Sequence, residues 1–186
     1  MSITRYLINL IVQFLFVTIF FSTLYAKKLD NFDNGKKIAS YFNGILLLQD
    51  DDYEGSYKFF KKLEGLEKKH DSYSSRYLFS LINLGKFNEA FNFSKKLEKE
   101  GSSNFESELI IGIFYLKNNR NDLAQKYFLK IKERNSNLLL NNFIAKSLLD
   151  WSSFNSLDFN EAKKRINNID SNYFDNLKKI QNVFLH

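Results

Sequence analysis

The chain has 186 residues, with 27 Lys or Arg against 21 Asp or Glu, and contains neither cysteine nor proline. Without cysteine there is no disulfide framework, no thiolate metal site and no Cys nucleophile, and without proline nothing breaks a helix from within. With 20 Phe and 10 Tyr the chain has the aromatic content of a folded domain, and the net charge of +6 reads as a lysine-rich solvated surface rather than a nucleic-acid site.

Residues 1–26 carry one charged side chain, Arg5, ahead of an apolar run from Ile8 to Phe21. Leu24 and Ala26 stand at −3 and −1 of a possible cut after Ala26, the pattern of a secretory signal peptide. The rival reading is an uncut anchor, since Tyr6 to Ala26 is long enough to span a bilayer as a helix and is followed at once by Lys27 and Lys28. Either way residues 27–186 are expected on the far side of a membrane, with 27–35 as a linker.

Beyond the linker the chain repeats itself. DDYEGSYKFFKKL (51–63), GKFNEAFNFSKKL (85–97) and NRNDLAQKYFLKI (119–131) follow one another at a spacing of 34 residues. SYFNGILLL (40–48), SSRYLFSLI (74–82) and ELIIGIFYL (108–116) keep the same register, so that Gly44, Leu78 and Gly112 correspond, as do Ser56, Ala90 and Ala124. Apolar residues at spacings of three and four predict two amphipathic helices in each unit, and QDDD, NLGK and KNNR supply the turns between them. The units run over 36–69, 70–103 and 104–136. A degenerate fourth covers 137–170, where FNEA (159–162) repeats residues 87–90 after a longer turn at 151–157. A last helix within 171–186, with Tyr173, Phe174, Leu177, Ile180 and Phe184 on one side, is expected to cap the stack.

Paired helices with a 34-residue period and these small and large placements resemble the tetratricopeptide repeat family. No proline closes a repeat, and the family's aromatic near the start of the first helix is missing from the second and third units. The resemblance implies an all-α fold, a right-handed superhelical stack of helix–turn–helix repeats behind the N-terminal signal or anchor helix. It also implies a non-enzymatic protein–protein interaction scaffold without cofactor. Its first helices would line a concave groove with Ile38, Tyr41, Ile45, Leu48 and Gln49; then Ser72, Ser75, Arg76, Phe79 and Asn83; then Glu106, Leu109, Ile113 and Lys117. Some members grip a partner's C-terminal carboxylate there with cations. The matching residues here are Tyr41, Ile45, Arg76, Glu106 and Ile110, of which only Arg76 has the required charge, so a carboxylate clamp is not expected. The groove set is mostly apolar and suits an apolar peptide or an amphipathic helix of a partner protein. The same residues also read as packing positions between helices, and the groove as one filled by residues 27–36.

No other motif points to chemistry. His70 and His186 have no partner at metal-ligand spacing, and Asp50–Asp52 lack the EF-hand pattern and read as a helix cap. Trp151, in the long fourth turn, reads as a plug over the last repeat. The pairs Lys61–Lys62, Lys95–Lys96, Lys163–Lys164 and Lys178–Lys179 recur on the second helices, where they are expected to face outward as a solubilising surface with weak attraction for anionic membranes. The expected function is therefore an exported adaptor, periplasmic or facing the periplasm from a membrane anchor. The alternatives are a membrane-anchored structural subunit of an envelope complex and, against an apolar groove, a helical-repeat RNA binder.

Overall fold

The computed structural model describes residues 34–67, 70–134, 138–153, 159–169 and 174–183. The expected signal or anchor over 1–26 lies outside them, as do most of the linker, Tyr173, Phe184 and His186. No helix among the described residues is long and apolar enough to cross a membrane. All regular structure among these residues is helical, and the chain divides into two compact units, Met1–Leu63 and Glu64–His186.

In the first unit, helix α1 (34–49) packs on α2 (Tyr53–Lys61). The close approach depends on Gly44: a Cβ there would stand 2.7 Å from Cε1 of Phe60, which is fully buried. Tyr41 leans on the same ring, with centroids 6.2 Å apart.

The second unit holds α3 (Asp71–Asn83), α4 (Phe87–Lys99), α5 (Phe105–Lys117), α6 (Asn121–Arg134), α7 (Leu139–Ser153), α8 (Phe159–Asn167) and α9 (Asp175–Val183). Each helix packs on the next in sequence, and α3 also meets α5, the contact order of a helical-repeat stack. Tyr73, Tyr77 and Phe93 fill the α3–α4 seam, Tyr77 and Phe93 meeting edge to face at 4.9 Å. Phe91 stacks on Phe114 at 3.9 Å to join α4 to α5. Gly112 repeats the part of Gly44, its missing Cβ leaving room for the Phe128 ring. Ala124, Phe128, Ile131 and Ala145 form a buried cluster shared by α6 and α7, with Leu109, Tyr115 and Leu148 packed against it.

The 34-residue period is most literal in the turns. Asp51, Gly85 and Asn119 stand 34 residues apart and all have positive φ (59°, 69° and 57°). The N–H of the following residue donates to the carbonyl five residues back in every case: Asp52 to Leu47, Lys86 to Leu81 and Arg120 to Tyr115, each 2.9 Å. The positive-φ residue donates three back, Gly85 to Ile82 and Asn119 to Leu116 at 3.0 Å. This is the Schellman closure, which satisfies the last carbonyls of a helix and requires a residue that tolerates the left-handed conformation; Gly, Asn and Asp do so best.

Three expectations change on contact with the structure. Helix α7 runs to Ser153, so Trp151 is a half-buried residue of its last turn and not part of a loop. In α9, Phe174 just before the helix packs on Phe143 (4.8 Å), but Leu177 and Ile180 are exposed, so the expected apolar side of this helix is largely uncovered. The lysine pair of α4 is not simply a solvated surface. Lys95 donates to Glu98 and to the Tyr127 hydroxyl (3.0 Å), and Lys96 donates to Glu67 at 2.9 Å. Lys95 and Glu98 are three residues apart on one helix face, as helical periodicity allows, whereas the bond of Lys96 reaches a carboxylate 29 residues away, a placement that periodicity does not disclose.

Candidate functional site

In the second unit the first helices α3 and α5 lie side by side, and this is where a groove would form. The start of α5 is pinned by a capping box. The Asn104 side chain accepts from the Ser107 N–H (2.9 Å), and the Asn104 N–H donates to Ser107 Oγ (3.0 Å). Asn104 also donates through Nδ2 to Ser75 Oγ (3.1 Å), and Ser75 Oγ donates to Glu106 Oε2 (3.1 Å). The residue that caps α5, a residue of α3 and a residue of α5 itself are thus tied in one chain of polar contacts, which fixes how the two helices meet.

At the other end of the same helices is a cavity of about 250 Å³ lined by Ile82, Phe87, Ile110, Ile113, Phe114 and Lys117. Its wall is apolar except for Lys117, whose ammonium stands 5.8 Å from the centroid of the Phe87 ring. Phe114, in one wall, stacks on Phe91 of α4. Phe87 and Ile113 are 52% and 45% exposed, and Phe79, the counterpart of Ile113 one repeat earlier on α3, is also 52% exposed. Large apolar side chains left this open on adjacent helices are the kind of surface that marks an interaction site.

Of the residues expected in the groove, Ile113 and Lys117 line this cavity; Phe79 is exposed on α3 outside its lining. Leu109 is instead packed against the α6–α7 cluster. Asn83 spends a side-chain N–H on the Phe79 carbonyl (2.9 Å) within its own helix. Ser75 and Glu106 bond to each other, Arg76 is half-buried and Ser72 exposed. Tyr41, Ile45 and Leu48 are half-buried residues of the first unit, where Ile38 and Gln49 are exposed.

The sequence reading missed Ile82, Phe87 and Phe114. Phe87 belongs to a second helix, so a rule that draws the groove only from first helices passes over it. Ile82 and Phe114 are apolar positions on α3 and α5 that periodicity alone assigns to the core.

The perturbed ionisable groups Glu67, Tyr73 and Glu98 lie around the α3–α4 pair. Burial pushes the Glu67 carboxyl up, but the Lys96 ammonium and the backbone N–H groups of Gly65 and Glu67 outweigh it and hold the group below its ordinary value. Glu98 behaves alike: burial acts to raise it, and hydrogen bonds from Lys95 and Tyr127 prevail and lower it. The Tyr73 hydroxyl, deep in the α3–α4 seam, is pushed far up by burial first and by the charges of nearby acidic groups second. None of these groups faces the apolar cavity.

No family model and no curated protein matches the chain. Solved structures do. The chain is similar to a structure titled MamA AMB-1 P212121, with 15% identity, a TM-score of 0.55 and 72% of this chain and 71% of that one covered. It is also similar to one titled MamA AMB-1 C2221, with 15% identity, a TM-score of 0.54 and 71% and 75% covered. A third, titled MamA MSR-1 C2, gives 15% identity, a TM-score of 0.52 and 70% and 73% covered. At this identity the likeness is one of fold: the chain has a tetratricopeptide-like helical-repeat architecture.

Proposed function

We propose that the chain is a non-enzymatic protein-interaction module, exported across a membrane, that holds an apolar side chain of a partner peptide or helix in the α3–α5 cavity. The observation that carries this reading is the apolar cavity edged by half-exposed Phe87 and Ile113, with Phe79 open on the neighbouring helix. A partner helix would set one aliphatic or aromatic residue into the cavity and lay its flank along Phe79. Export rests on the N-terminal apolar run followed by Lys27 and Lys28.

The test is crosslinking in cells from a photoreactive residue in place of Ile113, with the same residue in place of Leu129, an exposed residue of α6, as the control position. One dominant adduct from 113, absent from 129 and abolished by Phe87→Asp, supports the reading. Equal labelling from both positions, or labelling indifferent to Phe87→Asp, rejects it.

A further inference from the structure

The apolar stripe Ile38, Phe42 and Leu46 of α1 is open: the three side chains are 57%, 58% and 57% exposed. The places of Phe42 and Leu46 in the later first helices are better covered. Leu46 corresponds to Ser80, which is fully buried, to Phe114, which stacks on Phe91 at 3.9 Å, and to Leu148, packed against the α6–α7 cluster. Phe42 corresponds to Arg76, Ile110 and Ile144, all half-buried. Beside the stripe Asn43 is exposed, whereas its counterparts Tyr77, Ile111 and Ala145 are buried. For α5 and α7 the element on this face is the second helix of the preceding repeat, α4 or α6.

The sequence ahead of α1 has the residue pattern of such a second helix. Helix α1 begins at residue 34, so residues 1–33 fall one short of a full 34-residue period. KKLD (27–30) stands one period before KKLE (61–64) and two before KKLE (95–98). Ser22 takes the place of Ser56, Ala90 and Ala124, all fully buried, and Leu29 that of Leu63, Leu97 and Ile131, none more than 1% exposed. Thr23 has the place of Phe91, and Ile19 that of Phe87. The turn is not repeated, since Val17 has the place of Asp51, Gly85 and Asn119, so the likeness is to the second helix alone.

We propose that in the uncut chain residues 19–29 seat as a helix on this face of α1, as α4 does on α5. Ile19, Ser22, Thr23, Ala26 and Leu29 recur at spacings of three and four, so a helix carries them on one side. Ser22 gives the close approach, Thr23 stands over Leu46 as Phe91 stands over Phe114, and Ile19 lies beside Phe42 as Phe87 lies beside Ile110. The driving force is the removal of the stripe from water. The outer side of the seated helix stays apolar, for Leu24 has the place of Lys58, Asn92 and Lys126, which are exposed. Residues seated on α1 cannot also span a bilayer, which excludes the anchor while they are seated. A cut after Ala26 leaves only Lys27, Lys28 and Leu29 of this helix, so export with cutting uncovers the face. The α3–α5 cavity and its occupant play no part in this.

The chain has no cysteine, so an introduced pair supplies its only thiols. The full-length chain is made by cell-free synthesis without membranes, which keeps it uncut, and is treated in dilute solution with a short thiol–thiol crosslinker. It carries Thr23→Cys with Leu46→Cys or, as the control, Leu24→Cys with Leu46→Cys. An adduct within one chain is expected from the first pair at about tenfold the yield of the second, because the two positions of a helix differ in the side they face. Adding Ser22→Arg should lower that yield by about tenfold, since a charge is costly to bury at a close approach, whereas Leu24→Arg should leave it alone. A mixture of chains carrying only Thr23→Cys with chains carrying only Leu46→Cys reports a second copy as the occupant. Adducts between chains in that mixture at a yield equal to the adduct within one chain overturn the proposal. So do equal yields from positions 23 and 24, a yield indifferent to Ser22→Arg, or no adduct from the first pair.

Discussion

In the α5–α6 pair a glycine, Gly112, lies under the ring of Phe128, and in α1–α2 Gly44 lies under Phe60 in the same way. Thirty-four residues from each, in α3–α4, the two positions hold Leu78 and Ser94, both buried. The large and small residues have changed sides of the seam. What the repeat conserves at this place is the volume shared by two helices, not the residue on either one, as close packing requires. The largest effects should come from breaking that arrangement. Phe128→Ser alone empties the seam and should cost about 3–5 kcal/mol. Gly112→Leu alone forces a side chain against a buried ring, Cδ1 of Phe128 already lying 2.9 Å from where a Cβ would be, and should cost about 3 kcal/mol. The double variant Gly112→Leu, Phe128→Ser rebuilds the α3–α4 solution and should recover at least about 2 kcal/mol of the summed loss. Trp151, the sole tryptophan, belongs to this unit, so urea unfolding followed by its fluorescence reads the result. A double variant as unstable as the two losses added would sink the exchange.

The same two helix pairs differ in how they bury charge. Glu108 enters α5 at a fully buried position and meets Lys130 and Arg134 as ion pairs, its Oε2 having no hydrogen-bond partner among the described residues. Glu67, ahead of α3, is bonded to Lys96 and helped by backbone N–H groups. Replacing Lys130 and Arg134 together by Met leaves the Glu108 carboxylate buried with its compensating charge gone, at a cost of about 3 kcal/mol at neutral pH. Adding Glu108→Gln should return most of that, because a neutral amide is cheaper to bury. If the amide returns nothing, the two cations act through packing of their stems and not through charge.

The repeat itself was legible because its physical requirements fall on few positions and on distinctive residue types. Gly44 and Gly112 mark close helix approach, and Gly85 and the Asn and Asp residues of the turns mark left-handed closure. Those requirements survive the exchange at Leu78 and Ser94 because the register is set by several positions at once. The groove was legible only in part. Ile113 and Lys117 follow from a first-helix rule, but whether Leu109 faces the groove or the α6–α7 cluster depends on how α5 is rotated against its neighbours. A residue's place in the period leaves that rotation open. The cavity's other wall, Phe87, comes from the helix that the rule leaves out. The ion pair of Lys96 was illegible for a different reason. Glu67 and Lys96 are 29 residues apart, and nothing in a lysine pair tells a solvated ammonium from one that answers a buried acid.

The acid limb of stability sharpens the contrast between the two carboxylates by a smaller amount. Because Glu67 is held below its ordinary value in the folded chain, its contribution is present above the unfolded carboxyl range and is lost as pH falls through the lowered folded value. Lys96 is raised, chiefly by its hydrogen bond to Glu67, so its contribution is full below the ordinary lysine range and is lost only as pH rises through the higher folded value. Glu67→Gln should lower stability at pH 7 by about 1 kcal/mol and flatten the decline between about pH 5 and 3. A decline of unchanged steepness would mean that other carboxylates, Glu98 first among them, carry the acid response.

The three Schellman turns at the 34-residue spacing offer the finest comparison, because their backbone is the same and their residue differs. Gly85 at φ 69° and Asn119 at φ 57° do one job in the second unit with different intrinsic ease. A residue with a Cβ resists this conformation, and Asn resists it less than Ala because its short polar side chain bonds locally. Gly85→Ala should therefore cost roughly 1 kcal/mol, Gly85→Asn less than half of that, and Asn119→Gly should gain a few tenths. No contact stands within 4 Å of a Cβ at Gly85, so the ranking reports backbone strain without a steric clash. Equal costs for Ala and Asn at 85 would show that the position tolerates any side chain once the helix end is otherwise satisfied. The periodic Gly, Asn and Asp would then be bystanders to a closure set by the flanking hydrogen bonds.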